Sequence, residues 1–278
     1  MPATECRTLL SPVEVKKTCI AILRAFDTYC GKYDLQYWLS YGTLLGAARH
    51  GGFIPWDDDI DLMMPLDDYK RLIQLASDPA TRLPSLYRFS SIETDERHHI
   101  WFGKVYDAST YCRQDELQNH VEPDQGAWID VFPVVGVRSE GEASRLLSQL
   151  HPLQVKAEQS FLKPTPRKNP FMHARNSARA LLRRMEGGPQ TFVRQHADLV
   201  DRQSDPRDTE LLLEPCIEEP YASSWFFGET NVFLSFEGHP YPVPCKWEEV
   251  LSRYYGDWET LPPENERIPH ACKVWRRS

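Results

Sequence analysis

The chain has 278 residues, 41% of them hydrophobic and 12% aromatic, enough for a substantial core and too many for a disordered chain. Its formal net charge of −8 argues against a broad nucleic-acid-binding surface, which needs basic residues to neutralise phosphates. No stretch approaches the roughly 20 apolar residues of a membrane span, and Met1-Pro2-Ala3-Thr4-Glu5-Cys6-Arg7 lacks the pattern of a signal peptide.

Ser11-Pro12-Val13-Glu14 has the form of a capping box with proline at the first helical position. With Ile20, Leu23 and Phe26 at helical spacing, it predicts a helix over about 12–30, ending near Gly31. Leu35–Leu39 reads as a short extended segment. A short helix follows from Gly42 to Arg49 and is broken by Gly51-Gly52. The run from Asp57 to Met64 reads as a strand stopped by Pro65, with a helix over about 66–76 behind it. His99–Tyr106 and Ala127–Pro133 read as two further strands. Residues 139–203 read as helices interrupted by Lys163-Pro164-Thr165-Pro166. A hairpin is expected over 228–244, then a helix over about 246–255 and a proline-rich tail. Strands first and helices later predict an α+β chain with a mixed sheet flanked by helices. The seven cysteines are scattered and form no C-x-x-C pair, so free thiols in a reducing cytosol are expected.

Asp57, Asp58, Asp59 and Asp61 fall within five residues. Strand periodicity turns Asp57, Asp59 and Asp61 one way and Ile60 and Leu62 the other. Crowded carboxylates resist joint ionisation unless a cation neutralises them. Magnesium suits this pattern, because it takes one or two carboxylates and completes its shell with water and phosphate oxygens. A calcium loop of the EF-hand type is excluded, since its glycine and glutamate positions hold Leu62 and Asp68. A solvated acidic turn is disfavoured by the apolar Ile60, Leu62, Met63 and Met64. Upstream, Gly42-Thr43 at a helix start offers backbone N–H groups and a hydroxyl to a phosphate.

The segment YWLSYGTLLGAARHGGFIPWDDDID over residues 37–61 resembles the signature of the LicD/fukutin family, whose members have the nucleotidyltransferase fold. GKVYD at 103–107, WIDVFP at 128–133, FEG at 236–238, YGDW at 255–258 and LPP at 261–263 extend the likeness to roughly residues 19–275. The resemblance implies one domain over 1–278, with a largely helical insertion at about 139–225. It further implies transfer of a phosphorylated alcohol, phosphocholine or a polyol phosphate, from a CDP-linked donor to a hydroxyl of a glycan or lipid-linked glycan. Gly42-Thr43 matches the family's glycine motif, Asp59 and Asp61 its metal pair, and Asp130 its third carboxylate. Mg²⁺, or Mn²⁺ in its place, is the implied cofactor. Asp130 would share the ion or act as base. Arg49 and Lys104 could contact donor phosphates, with ordinary ion pairs as the competing reading. His270 falls in a family block, with a structural role as its alternative. Asp57 and Asp58 could be further ligands or outer groups.

Residues 156–184 hold eight Lys/Arg and one acid, Glu158, and could meet an anionic polymer or membrane head groups; a solvated helix face is the commoner outcome. Trp56, Trp101 and Trp128 could cage a choline cation or be core. Nothing in the composition chooses choline over ribitol or glycerol. The expected location is cytoplasmic, peripheral to the inner membrane face. Two other functions stay open: nucleotidyl transfer from an NTP, and a non-catalytic scaffold.

Overall fold

A computed structural model describes residues 8–84, 86–113, 125–162, 170–217, 219–267 and 273–277. In chain order it forms β1 (Thr8–Leu9), α1 (Pro12–Tyr33), β2 (Trp38–Leu39), α2 (Tyr41–His50), β3 (Asp61–Pro65) and α3 (Leu66–Ser77). There follow β4 (Tyr87–Ser90), β5 (Gly103–Asp107), β6 (Thr110–Arg113), β7 (Trp128–Val137), α4 (Glu140–Phe161), α5 (Pro170–Met185) and α6 (Gly188–Val200). The chain closes with β8 (Leu211–Leu213), β9 (Tyr221–Ala222), β10 (Val232–Phe236), β11 (His239–Val243), α7 (Trp247–Tyr255) and β12 (Lys273–Arg276). None of the described helices is long and apolar enough to cross a membrane.

The α+β expectation is met by a mixed sheet in the order β2-β3-β7-β5-β4, to which β8 and β9 add along the far half of β7. Strand β7 is the spine. Its first half pairs antiparallel with β5, its middle parallel with β3, and Val135–Val137 antiparallel with β8. A second, antiparallel sheet, β1-β12-β6, gathers strands from both ends of the chain.

Helix α1 begins as the sequence predicts, with both hydrogen bonds of the capping box formed at Ser11 and Glu14. It runs past Gly31, which lies inside it, because Asp34 adopts the left-handed conformation (φ 51°) and stops it instead. The helix packs on β5 and β7 and buries Ile22, Leu23 and Phe26 completely. Each such side chain contributes about 1.5–3 kcal/mol. Ile60 and Leu62 are likewise fully buried, as expected for the anchoring face of the acidic segment.

Three expectations are corrected. The strand at Asp57–Met64 is shorter: Asp57 N–H bonds to Ile54 C=O in a turn, so the chain enters β3 only at Asp61. The strand expected at His99 begins at Gly103, because His98 and His99 are tucked inside, His98 between Ser90 Oγ and Phe102 C=O. The expectation of free thiols fails at Cys112, which is disulfide-bonded, whereas Cys19, Cys30, Cys216 and Cys245 are free. The hairpin prediction holds. Glu237 (φ 51°) and Gly238 (φ 77°) form a two-residue turn between Phe236 and its partner His239, with the left-handed backbone that such turns require.

Candidate active site

Parallel pairing of β3 with β7 sets Asp61 beside Asp130, and antiparallel pairing of β5 with β7 sets Lys104 on Asp130's other side. Laterally paired residues share a sheet face, so two carboxyls and an ammonium converge at one end of the sheet. Trp128, Asp130 and Phe132 recur every second residue on that face. Lys104 Nζ lies 3.0 Å from Asp130 Oδ1 and 3.8 Å from the centre of the Trp128 ring. Trp128 Nε1 donates to Asp130 Oδ2 at 3.2 Å. Asp130 Oδ1 is buried and, despite the nearby ammonium, accepts no hydrogen bond of good geometry.

Burial raises the Asp61 carboxyl well above the usual range, and the charges of Asp59, Asp130 and Asp57 push it further, while Lys104 pulls it down. For the Lys104–Asp130 pair, burial works against charge on both partners: Asp130 is raised and Lys104 lowered, each partly offset by the other. The site is thus short of positive charge.

The glycine–threonine segment frames this cluster from α2. Thr43 Oγ1 accepts the Asp61 backbone N–H at 2.9 Å, and Ser40 N–H bonds to Asp61 C=O at 3.0 Å, so the start of α2 is pinned to the start of β3. Gly42 and Asp57 approach closely: a Cβ on Gly42 would stand 2.6 Å from Asp57 Oδ2 and would turn that carboxylate aside. Asp57 therefore lies over the first turn of α2, where the helix favours negative charge. The positive φ of the segment belongs to Tyr41 (44°), whose ring packs edge-on against Phe132 and Tyr254.

The remaining candidates are placed as follows. Asp57 to Ile60 is irregular backbone, so Asp59 approaches from a loop rather than from the strand face; its charge nevertheless acts on Asp61, Lys104 and Asp130. Arg49 Nη1 donates to Trp258 C=O at 2.9 Å and Thr260 C=O at 3.4 Å, tying α2 to the segment after α7. His270 lies outside the described residues. Of the tryptophans, Trp128 already faces the Lys104 ammonium, Trp101 donates to Cys216 Sγ at 2.8 Å, and Trp56 lies beneath Arg267. A cavity of about 750 Å³ opens elsewhere, between α1, α3 and the β10–β11 hairpin. It contains none of these residues, and its Arg71 and Arg207 are both committed to Asp68.

Glu214, just past β8, is a buried acid that the sequence reading did not single out. It accepts hydrogen bonds from Tyr41 Oη at 2.5 Å and from Cys216 N–H at 3.0 Å. Its partner lies 173 residues away, so no local pattern marks it. Burial pushes Glu214 up to about 7 from 4.5, against the pull of those hydrogen bonds. The folded protein then keeps a proton that the unfolded chain releases, so stability is lost as pH rises from about 4.5 through about 7. Glu214→Gln keeps an acceptor for Tyr41 and removes this dependence. Urea titrations near pH 5 and near pH 8 should show the variant gaining roughly 2–3 kcal/mol on the parent across that interval, at about 1.4 kcal/mol per pH unit. An unchanged difference would mean that the buried carboxyl ionises as it does in water.

A mixed sheet with one buried and one half-buried carboxyl at one end, faced by a glycine–hydroxyl helix start, has the layout expected of the nucleotidyltransferase class. Residues 34–178 match the family model for the LicD/FKTN/FKRP nucleotidyltransferase domain, and the chain belongs to this family. It is 27% identical over 270 residues to the lipopolysaccharide cholinephosphotransferase LicD of Haemophilus influenzae, covering 92% of this chain and 94% of that protein. It is 37% identical over 90 residues to the human ribitol 5-phosphate transferase FKRP, covering 32% of this chain and 16% of that protein. To the human ribitol-5-phosphate transferase FKTN it is 35% identical over 81 residues, covering 29% of this chain and 17% of that protein.

Proposed function

We propose that this chain transfers a phosphorylated alcohol, phosphocholine or a polyol phosphate, from a CDP-linked donor to a hydroxyl of a glycan or lipid-linked glycan. The observation that carries the reading is the in-register pair Asp61–Asp130 with Lys104 beside it: one half-buried and one buried acid, both held above the usual carboxylate range by burial and by neighbouring charge. Family membership and the full-length likeness to a cholinephosphotransferase support it.

The donor set fits a divalent cation. Asp130 Oδ1 is a buried acceptor without a well-formed hydrogen bond, and Asp61 is an acid held above its usual range by its neighbours. Among the described residues no three His, Cys, Asp or Glu side chains form a ready cage, so a cation shared by Asp59, Asp61 and Asp130 would require these carboxylates to draw together around it. Asp59, Asp61 and Asp130 would hold Mg²⁺, or Mn²⁺ in its place, and the ion would supply positive charge against the donor diphosphate.

The chain's own groups then divide the work. The acceptor oxygen bonds to the phosphorus that bears the alcohol, the bond to the bridging oxygen breaks, and CMP leaves with that electron pair. Asp130, raised by burial, either takes the acceptor's proton or shares the cation with Asp61. Lys104 orients Asp130 and adds positive charge next to the phosphates. Gly42 and Thr43 hold the start of α2 against β3, and phosphate approach to that turn requires Asp57 to move off it.

Incubation with labelled CDP-choline, CDP-ribitol and CTP, with and without Mg²⁺, tests the proposal. CMP release from a CDP-alcohol that needs both Mg²⁺ and a glycan acceptor is the expected result. Pyrophosphate release from CTP would replace it with nucleotidyl transfer. Calorimetry showing no Mg²⁺-dependent nucleotide binding would leave only a scaffold.

A further inference from the structure

Over residues 174–185, helix α5 wears its large apolar residues on the outside. Among its described side chains, at residues 174–185, only Ala180 is buried, with Asn176, Ser177 and Arg183 half-buried beside it. Over residues 174–185, the face turned toward α4 and α6 is therefore small or polar. Leu181 is 57% exposed, Leu182 56% and Met185 77%. With 3.6 residues per turn, Ala174, Ala178, Leu181, Leu182 and Met185 fall on one stripe roughly 100° wide, the width a helix normally reserves for its core.

The charges around the stripe are of one sign. Arg175 and Arg179 border it on one side and Arg184 on the other, all three exposed. In the sequence, Lys163, Arg167 and Lys168 precede the helix, and no acidic residue occurs between Glu158 and Glu186. A chain of net charge −8 thus places three exposed arginines around an exposed apolar stripe.

We infer that the outward face of α5 docks in the plane of an anionic phospholipid surface, with Leu181, Leu182 and Met185 entering the acyl boundary and Arg175, Arg179 and Arg184 meeting the lipid phosphates. Apolar stripes flanked by basic residues bind lipid interfaces in this way. A second copy of this chain fits less well, because two such faces would bring arginine against arginine. The inference does not depend on the donor chemistry, since binding is read without turnover.

The test is co-sedimentation of the full chain with vesicles of equal parts phosphatidylglycerol and phosphatidylcholine, against vesicles of phosphatidylcholine alone. The expected result is binding to the anionic vesicles only, weakened roughly a hundredfold by the combined Arg175→Gln, Arg179→Gln and Arg184→Gln changes. Combined Leu181→Gln, Leu182→Gln and Met185→Gln should weaken it at least as much, with circular dichroism unchanged in both variants. Equal binding to both vesicle types, binding insensitive to either triple change, or no binding at all overturns the inference. So does self-association of the parent that the leucine–methionine variant abolishes.

Discussion

Asp61→Asn is expected to abolish turnover while leaving the protein at least as stable as the parent. Asparagine keeps the side chain's volume, and the bond that pins β3 to α2 runs from the Asp61 backbone to Thr43, so it survives the change. What disappears is a half-buried acid crowded by Asp59, Asp130 and Asp57. Because the folded state raises this carboxyl, it holds a proton that the unfolded chain gives up, and the parent loses stability as pH rises above the ordinary carboxylate range. In chelated buffer the variant should therefore gain on the parent more near pH 8 than near pH 5. Activity should move the other way. Lewis-acid stabilisation of a phosphoryl-transfer transition state supplies several kcal/mol, so losing it costs roughly 10³-fold or more in rate. Added Mg²⁺ should raise the melting temperature of the parent but not of the variant. Activity within tenfold of the parent would remove Asp61 from the proposed chemistry.

Lys104→Met should be costly to the fold as well as to the reaction. Lys104 is buried, pairs with Asp130 at 3.0 Å and lies against the Trp128 ring. Methionine approximates its stem but leaves Asp130 buried without a counter-charge, a change that costs about 3–5 kcal/mol when one partner of a buried pair is removed. The combined Lys104→Met, Asp130→Asn protein should recover most of that loss, because neither charge is then stranded. Urea denaturation of the four proteins near pH 7 gives the coupling directly. If the double variant is as unstable as Lys104→Met alone, the ammonium acts through packing, and the electrostatic account of the pair fails. The single variant should also become steeply pH-sensitive, losing stability as pH rises and Asp130 is forced to ionise without a partner.

Much of the site was legible in one dimension. The alternation of Asp61 with the apolar Ile60 and Leu62 marked a strand with one polar and one buried face, and Asp130 between Ile129 and Val131 did the same. Gly42-Thr43 marked the helix start, and Glu237-Gly238-His239-Pro240 the connection of the hairpin, of which only the first two residues form the turn. Each reading rests on contacts within a few residues, where backbone period and turn chemistry dominate. Elsewhere local periodicity misled. Asp57, Asp59 and Asp61 looked like one strand face, but the turn at Ile54–Asp57 keeps the first two off the strand.

By itself the sequence determined the elements that carry the chemistry, their class and the family to which they belong, because side-chain period, capping and turn residues are local properties of the chain. Tertiary structure alone decided that β3 runs parallel to β7 and β5 antiparallel to it, so that Asp61, Asp130 and Lys104 meet. It also decided that Lys104 neutralises an aspartate and that Arg49 clasps a loop. Tyr41 joined Glu214 by the same long-range pairing. Register between distant strands depends on which buried faces fit together, and that fit exists only once the whole sheet has assembled.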